Sequence, residues 1–448
     1  MKLSQMHLVT GGTLCGDCDF QNFAIDSRAV GKGDVFICIR GERVDGHDYV
    51  RSAAENGAGG FLCAKDIDTD LPYLKVGDPV TALQQYAAWH RGNMNALVVA
   101  VTGSVGKTTT KEFIYAALGS RLRTHKTQGN KNSETGVPLT LLGITPEHEA
   151  AVVEMGMSGF GQIHDLSLIT APDIAVITNI GYSHIEYLGS RENIMKAKLE
   201  ILDGLKPGGT LLINGDDEML KNMPSVDFRV LRYGIGDGGC DYTARDIRQH
   251  DGNTEFVAVT PNGETDVFIP TEGIHNVYNA LAAVAVADIA GINADDAAQG
   301  LKNFRNAPLR QNIYEHDGVT IIEDCYNASP SSMTSAFEIL CARKGRKIAV
   351  LGDMLELGAQ AVQLHRQVGQ EMKGIDILIA FGSHASDYIR GAEEAGVKCF
   401  SCKTTSEAAG VLCDIACDGD VVLFKASRSM NAEKIIKEFF ENRKDTEK

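Results

Sequence analysis

Apolar positions along the chain fall into two recurrent rhythms. Short unbroken apolar runs read as buried strands, and longer stretches with apolar residues every three or four positions read as helices packed on one face. Residues 1 to about 95 mix short strands (35–39, 60–63) with helices around 49–56 and 81–91. A new unit opens with the run 97–101, followed by a glycine loop and a helix from Lys107. It continues through strands near 151–153, 174–178 and 210–213, alternating with helices, which predicts a mainly parallel sheet. The last third repeats the logic: strands near 319–322, 347–351, 377–381 and 421–424 alternate with helices near 331–341, 361–372, 385–395 and 432–441. The prediction is an α/β protein of three domains: a small N-terminal unit (1–95), a central unit (96–312) and a doubly wound, Rossmann-like C-terminal unit (313–448).

A length of 448 residues agrees, because one hydrophobic core does not grow to that size. The balance of 43 basic against 59 acidic residues, net −16, argues against nucleic acid as a partner. Residues 1–12 hold no apolar run of signal-peptide length, and the greasiest later stretch, 280–292, is alanine-rich and broken by Asp288. A soluble, cytoplasmic chain without membrane insertion is expected. Eleven cysteines are scattered, and the pairs Cys15/Cys18 and Cys399/Cys402 lie at opposite ends without nearby histidine pairs. Reduced structural thiols are expected rather than zinc.

The chemistry begins at Val101-Thr102-Gly103-Ser104-Val105-Gly106-Lys107-Thr108-Thr109, set between a strand and a helix. Small residues there let backbone N–H groups curl around phosphate oxygens at a helix N-terminus. Lys107 would reach the terminal phosphates, and Thr108 would offer its hydroxyl to Mg²⁺. The first glycine of the usual pattern falls at Val101, so this is a shortened phosphate loop. The run 150–154 is a strand ending in Glu154, placed as a second Mg²⁺ ligand. His184, at the ligand-facing end of the next strand, is a candidate metal or phosphate contact. In a helix expected over 191–204, with Ser190 as cap, Ile194, Ala197, Ile201, Leu202 and Leu205 form one face; Lys198 lies within it, whereas Lys196, Glu200 and Asp203 lie opposite. A lysine there must snorkel, pair or be chemically altered. In the C-terminal unit, Asp324, Asp353 and the run Lys425-Ala426-Ser427-Arg428 occupy strand ends where such folds bind ligands.

Taken together these residues resemble the Mur ligase family over essentially the whole chain. Shared features are Thr102-Gly103-x-x-Gly106-Lys107-Thr108, Glu154, Asn179 with His184, and Lys198. Gly129-Asn130-x-Asn132, Gly136-Val137-Pro138-Leu139-Thr140, Asp324-x-Tyr326-Asn327-Ala328, the run 350–358 and Lys425-x-Ser427-Arg428-Ser429-Met430 resemble the branch that adds D-alanyl-D-alanine. The resemblance implies an ATP-dependent ligase of peptidoglycan synthesis acting on UDP-N-acetylmuramoyl-tripeptide and D-alanyl-D-alanine through an acyl phosphate, and a monomer is expected. It implies that Thr102 to Thr109, Asn276, Asn279, Arg310, Asp324, Tyr326 and Asn327 hold ATP. Thr108, Glu154, His184 and Lys198, the last as a carbamate, would surround magnesium, with Lys107, Glu154, His184 and Lys198 as the catalytic set. Ser27, Arg28, Gly46 and His47 would hold the uridine end, while Asn132, Thr135, Asp353, Lys425, Ser427 and Arg428 would contact the peptides. For Asn276 a helix N-cap is the competing reading.

Two departures from the family pattern stand out: Ser133-Glu134-Thr135 before Gly136, and Ser329 after Asn327-Ala328. Other readings are another Mur or folylpolyglutamate-type ligase, a P-loop nucleotide switch, and a non-catalytic nucleotide-binding module. Asp26-Ser27-Arg28 argues against the folate enzyme. Asn130-Lys131-Asn132 faintly resembles a guanine-specificity motif but lacks its aspartate and preceding strand.

Overall fold

A computed structural model describes residues 1–41, 43–236, 239–250 and 252–446. Among these the strands form three sheets. The N-terminal sheet has five strands in the order Thr13–Cys15, Tyr73–Lys75, Gly60–Cys63, Val35–Ile37, Phe23–Ala24, parallel except for the first. The helix Pro79–Gly92 leads out of it, with Pro79 in its first turn and Asp78 accepting from the Thr81 N–H at 2.8 Å. Near its end the buried Arg91 guanidinium donates to the carbonyls of Thr170 and Ala171 and pairs with Asp173 at 3.2 Å. That fork seats the helix on the central unit.

The nine-stranded central sheet is mainly parallel, as expected, with Leu97–Thr102 between Ile174–Ile177 and Ala150–Glu154. Val98 to Val101 are fully buried, as befits a strand covered on both faces. From Leu97–Thr102 the chain goes outward first to Thr124–Lys126 on one side, then returns to the other, which makes the strand's carboxyl end a switch point and opens a crevice there. The helix-strand alternation did not reveal the antiparallel ribbon Tyr242–His250, Asn253–Thr260, Gly263–Ile269 at one edge. Its middle strand buries alternate residues, Thr254, Phe256 and Ala258, as a half-covered ribbon does.

The alanine-rich helix Ile274–Ile289 is buried against this sheet and the helix Lys107–Leu118. Its apolarity therefore serves the core, and no described helix is long and apolar enough to cross a membrane. The C-terminal sheet runs Asn312–His316, Val319–Glu323, Val421–Lys425, Lys347–Leu351, Ile377–Phe381, Lys398–Cys402, with only the first strand antiparallel.

One helix is shorter than expected. It spans Arg191–Leu199 and tightens into a 3₁₀ turn at Glu200–Leu202. Ser190 caps it through the Asn193 N–H. Glu200 does not simply face outward: its carboxylate accepts the N–H groups of Gly161 and His164 and so caps the helix Gln162–Thr170.

Candidate active site

The carboxyl ends of the central and C-terminal strands face one cavity of about 890 Å³. On its central side, the loop after Leu97–Thr102 is shaped by two glycines. Gly103 has φ +150°, and a Cβ there would lie 1.9 Å from the Thr178 hydroxyl; Gly106 has φ +85° and caps the helix Lys107–Leu118. Asn179 holds the loop from beneath, accepting from Val105 N and donating to Val105 O, both at 2.9 Å. Thr102 is buried, with its hydroxyl spent on the Met155 carbonyl, while Ser104, Val105, Thr108 and Thr109 line the cavity. The Lys107 ammonium donates to the Gly103 carbonyl at 2.8 Å. Burial lowers its pKa, and Glu154 partly restores it.

The Thr108 hydroxyl sits at a junction. It donates to Glu154 Oε1 at 3.1 Å and accepts from the Arg310 guanidinium at 3.1 Å. Asn132 Nδ2 donates to the same Glu154 oxygen at 2.8 Å. Glu154 is 1% exposed, and its other oxygen, Oε2, accepts no hydrogen bond from the described residues. Arg310 lies over the Tyr326 ring at 4.1 Å, so the linker into the C-terminal unit meets the phosphate loop directly. Asn276 is not the helix N-cap: Gly273 holds that position. Asn276 lies inside the first turn, donating to Glu272 O at 2.7 Å and accepting from Asn279, whose own carbonyl takes the Thr110 hydroxyl.

His184 lines the same cavity in a left-handed conformation (φ 66°). Its Nδ1 lies 2.5 Å from Oε2 of Glu356 in the C-terminal unit, with the carboxylate off the line of a regular hydrogen bond. The contact lowers the Glu356 pKa. Lys198 is 1% exposed, outside the cavity lining, and makes no hydrogen bond or ion pair with any described residue. Burial, and then the like charge of Lys107, push its pKa well below the usual lysine value. Of the four residues expected around magnesium, Thr108 and Glu154 touch, His184 shares their cavity, and Lys198 lies outside its lining.

The remaining expected residues divide. Asp324, Tyr326, Asn327 and Lys425 line the cavity from the C-terminal side. Lys425 is nevertheless buried and engaged, pairing with Asp324 and donating to Asn327 O at 3.1 Å. Asp353 is 4% exposed and accepts the backbone N–H groups of Ser383 and His384. Ser427 accepts from Leu355 N at 2.9 Å, and Arg428 pairs with Glu433 at 2.7 Å. None of Asp353, Ser427 and Arg428 lines the cavity. Ser27, Arg28, Gly46 and His47 lie in the 3₁₀ turns Ser27–Ala29 and Gly46–Tyr49 of the N-terminal unit and do not line it either. Arg28 forks onto Asp26, and the His47 ring is held between Asp45 and the Ala64 N–H. A Cβ on Gly46 would lie 2.7 Å from Ile39 N, so glycine is required by close packing. Asn132 reaches the cavity; Thr135, at the start of the helix Gly136–Leu142, does not line it.

Two residues of the site escaped the sequence reading. Glu356 lies in the run 350–358, where the sequence pattern alone assigns it no partner. Lys111 carried the same signal as Lys198, a lysine on the face that its helix buries through Thr108, Ile114 and Leu118. Among the described residues no three His, Cys, Asp or Glu side chains converge as a metal cluster. The donor set at the phosphate loop is instead one hydroxyl and one carboxylate, hard oxygens of the kind Mg²⁺ accepts alongside phosphate oxygens.

Family models match three successive stretches of the chain: the Mur ligase family catalytic domain over residues 19–96, the Mur ligase middle domain over 101–287, and the Mur ligase, glutamate ligase domain over 310–428. The UDP-N-acetylmuramoyl-tripeptide--D-alanyl-D-alanine ligase of Bacillus subtilis is 40% identical over 432 residues, which is 94% of this chain and 93% of that one. Its namesake from Escherichia coli is 37% identical over 450 residues, 99% of each. A crystal structure of MurF from Acinetobacter baumannii matches with a TM-score of 0.89 at 32% identity, covering 98% of each chain. MurF ligase from Thermotoga maritima in complex with ADP matches with a TM-score of 0.83 at 32% identity, covering 94% of this chain and 98% of that one.

Proposed function

Because this chain belongs to the Mur ligase family, we propose that it is an ATP-dependent carbon–nitrogen ligase of peptidoglycan precursor synthesis. It joins D-alanyl-D-alanine to the terminal carboxylate of UDP-N-acetylmuramoyl-tripeptide, the reaction named for its relatives. The observation that carries this reading is the meeting of Thr108, Glu154 and Arg310 at the start of the helix Lys107–Leu118, inside the cavity shared by two domains. Its partners are small molecules, and the chain acts as a monomer in the cytoplasm. We take the domains as 1–95, 96–312 and 313–448, with Arg310 and Gln311 in the last linker.

A carboxylate is a poor electrophile, so it must first gain a leaving group. The substrate carboxylate takes the terminal phosphoryl group of ATP, and ADP departs. The amine of the dipeptide then attacks the acyl carbon and expels phosphate. Such transfers depend on positioning and charge stabilisation. The backbone N–H groups of 106–108 hold phosphate oxygens, Lys107 moves from the Gly103 carbonyl onto them, and Arg310 adds a second cation from the linker. Asn276 and Asn279 hold the nucleotide on the central side, and Asp324, Tyr326 and Asn327 on the other. Closure of the C-terminal domain, through Arg310 on Thr108 and Glu356 on His184, excludes water from the acyl phosphate.

Thr108 and Glu154 would hold magnesium, which neutralises charge on the phosphates when bound; Glu154 Oε1, beside the Thr108 hydroxyl, and the oxygen donor set fit it. His184 is placed to join them. Lys198 fits a carbamate: burial lowers the pKa of its amine, which therefore gives up its proton more readily, and the nitrogen can bond to CO₂ carbon with loss of a further proton. The product is an anion near Lys107, which replaces like-charge repulsion by attraction. The uridine end is assigned to Ser27, Arg28, Gly46 and His47, and the peptide to Asn132 and Thr135. Lys425 shapes the dipeptide side from the cavity wall, and Asp353, Ser427 and Arg428 from behind it. The test is phosphate release with each UDP-muramoyl peptide, with and without D-alanyl-D-alanine. Release that needs both tripeptide and dipeptide is expected, and release indifferent to the dipeptide would refute the assignment.

A further inference from the structure

Lys111 stands one helical turn beyond Lys107 and is fully buried, yet it does not line the cavity. Its ammonium donates to Thr127 O at 2.9 Å and lies 3.2 Å from Glu112 Oε1 and 3.6 Å from Glu154 Oε2. Glu112 has a second cation, Lys126, whereas among the described residues Glu154 Oε2 has only this one and no hydrogen bond. The opposite oxygen, Oε1, is fixed by Thr108 and Asn132. Glu154 thus presents one oxygen to the phosphate loop and turns the other toward a resident ammonium.

From this we infer that Lys111 is a positioning residue, a built-in counter-cation that occupies the outer side of Glu154. Two carboxylates, the half-buried Glu112 and the buried Glu154, flank the ammonium, and without it their combined charge would draw a divalent cation to the wrong side of Glu154. With Lys111 present, that position is already filled by a cation that cannot leave. The carboxylate can engage a metal only through the oxygen beside Thr108, where the phosphates are held. The inference rests on Glu154 acting at the phosphate loop, but its physical core concerns charge in the nucleotide-free protein.

The experiment measures Mn²⁺ binding to nucleotide-free protein by electron paramagnetic resonance. Lys111→Gln keeps a donor for Thr127 O and removes the charge; Lys111→Arg keeps the charge. The Gln variant is expected to bind Mn²⁺ at least about tenfold more tightly than the natural chain, a change worth about 1.4 kcal/mol. The Arg variant should match the natural chain. Turnover of the Gln variant should fall about tenfold or more with KM for the dipeptide unchanged, since the dipeptide does not meet Glu154. Unchanged or weaker Mn²⁺ binding in the Gln variant overturns the inference, whatever happens to turnover. If that variant does not fold, adding Lys111→Gln to Glu112→Gln makes the same comparison with one carboxylate fewer, and a rise in Mn²⁺ affinity over Glu112→Gln alone is again required. Ligase activity enters none of these binding measurements, so a failed substrate assignment and a failed role for Lys111 are separable.

Discussion

Replacing Lys198 with methionine separates packing from chemistry. The side chain is 1% exposed, packed beside Ile194 and Ala197 on the buried helix face, and its amine has no partner among the described residues. Methionine matches the length and volume of the stem, so the exchange should alter unfolding free energy by less than about 1.5 kcal/mol. It also removes a desolvated amine whose proton is held less tightly in the folded than in the unfolded chain. For such a group, stability rises with pH from the lowered folded pKa up to the unfolded value near 10.4. The natural chain should therefore gain on the methionine variant as pH goes from 7 to 10 in bicarbonate-free buffer. Adding bicarbonate at neutral pH should stabilise only the natural chain, by about 1.4 kcal/mol when CO₂ stands at ten times its dissociation constant. Turnover of the variant should fall by about 10² to 10³, the scale seen when one transition-state charge contact is lost. Urea unfolding at several pH values and phosphate release read these quantities. Destabilisation by several kcal/mol would show that the amine makes native contacts absent from this structure. Full turnover in the variant would remove Lys198 from the reaction.

Other consequences follow from the same geometry. Lys107→Ala should nearly abolish ADP formation while leaving the thermal midpoint close to that of the natural chain; near-normal turnover would dismiss the phosphate role. Glu356→Gln should lower kcat about 10- to 100-fold, as loss of a histidine's orienting carboxylate does, with stability changed by only about 0–1 kcal/mol because the pair is partly exposed. Small-angle scattering with ATP and tripeptide should then show a more open shape, and an unchanged shape would argue against the latch. His365 is buried, its Nε2 accepts from Met354 N at 2.9 Å, and burial holds its pKa below the usual histidine value. The unfolded chain thus binds the extra proton first, so stability should fall as pH drops below about 6.5, at up to about 1.4 kcal/mol per unit for this group. His365→Gln should flatten that slope, and an identical slope would place the titration elsewhere.

Motif and periodicity carried much of this protein unaided. The strand–loop–helix around Lys107 was legible because phosphate binding demands small residues, a lysine and a hydroxyl at contiguous positions, all within reach of local sequence rules. Lys198 announced itself by sitting on an apolar helix face, and burial of that face followed from the 3.6-residue period. Three-dimensional packing decided the rest. Arg310 and Thr108 lie 202 residues apart, so nothing local could show that they meet. Asn276 looked like a cap because caps and ligands draw on the same amide group, and only the backbone course assigned the cap to Gly273. Asp353, Ser427 and Arg428 stand at strand ends where ligands bind, yet neighbouring backbone or side-chain groups already engage them. Local order along a chain determines which residue types share a turn or a face. Which charges end up neutralising one another, as Lys111 does for Glu154, depends on distances between segments that only the folded core establishes.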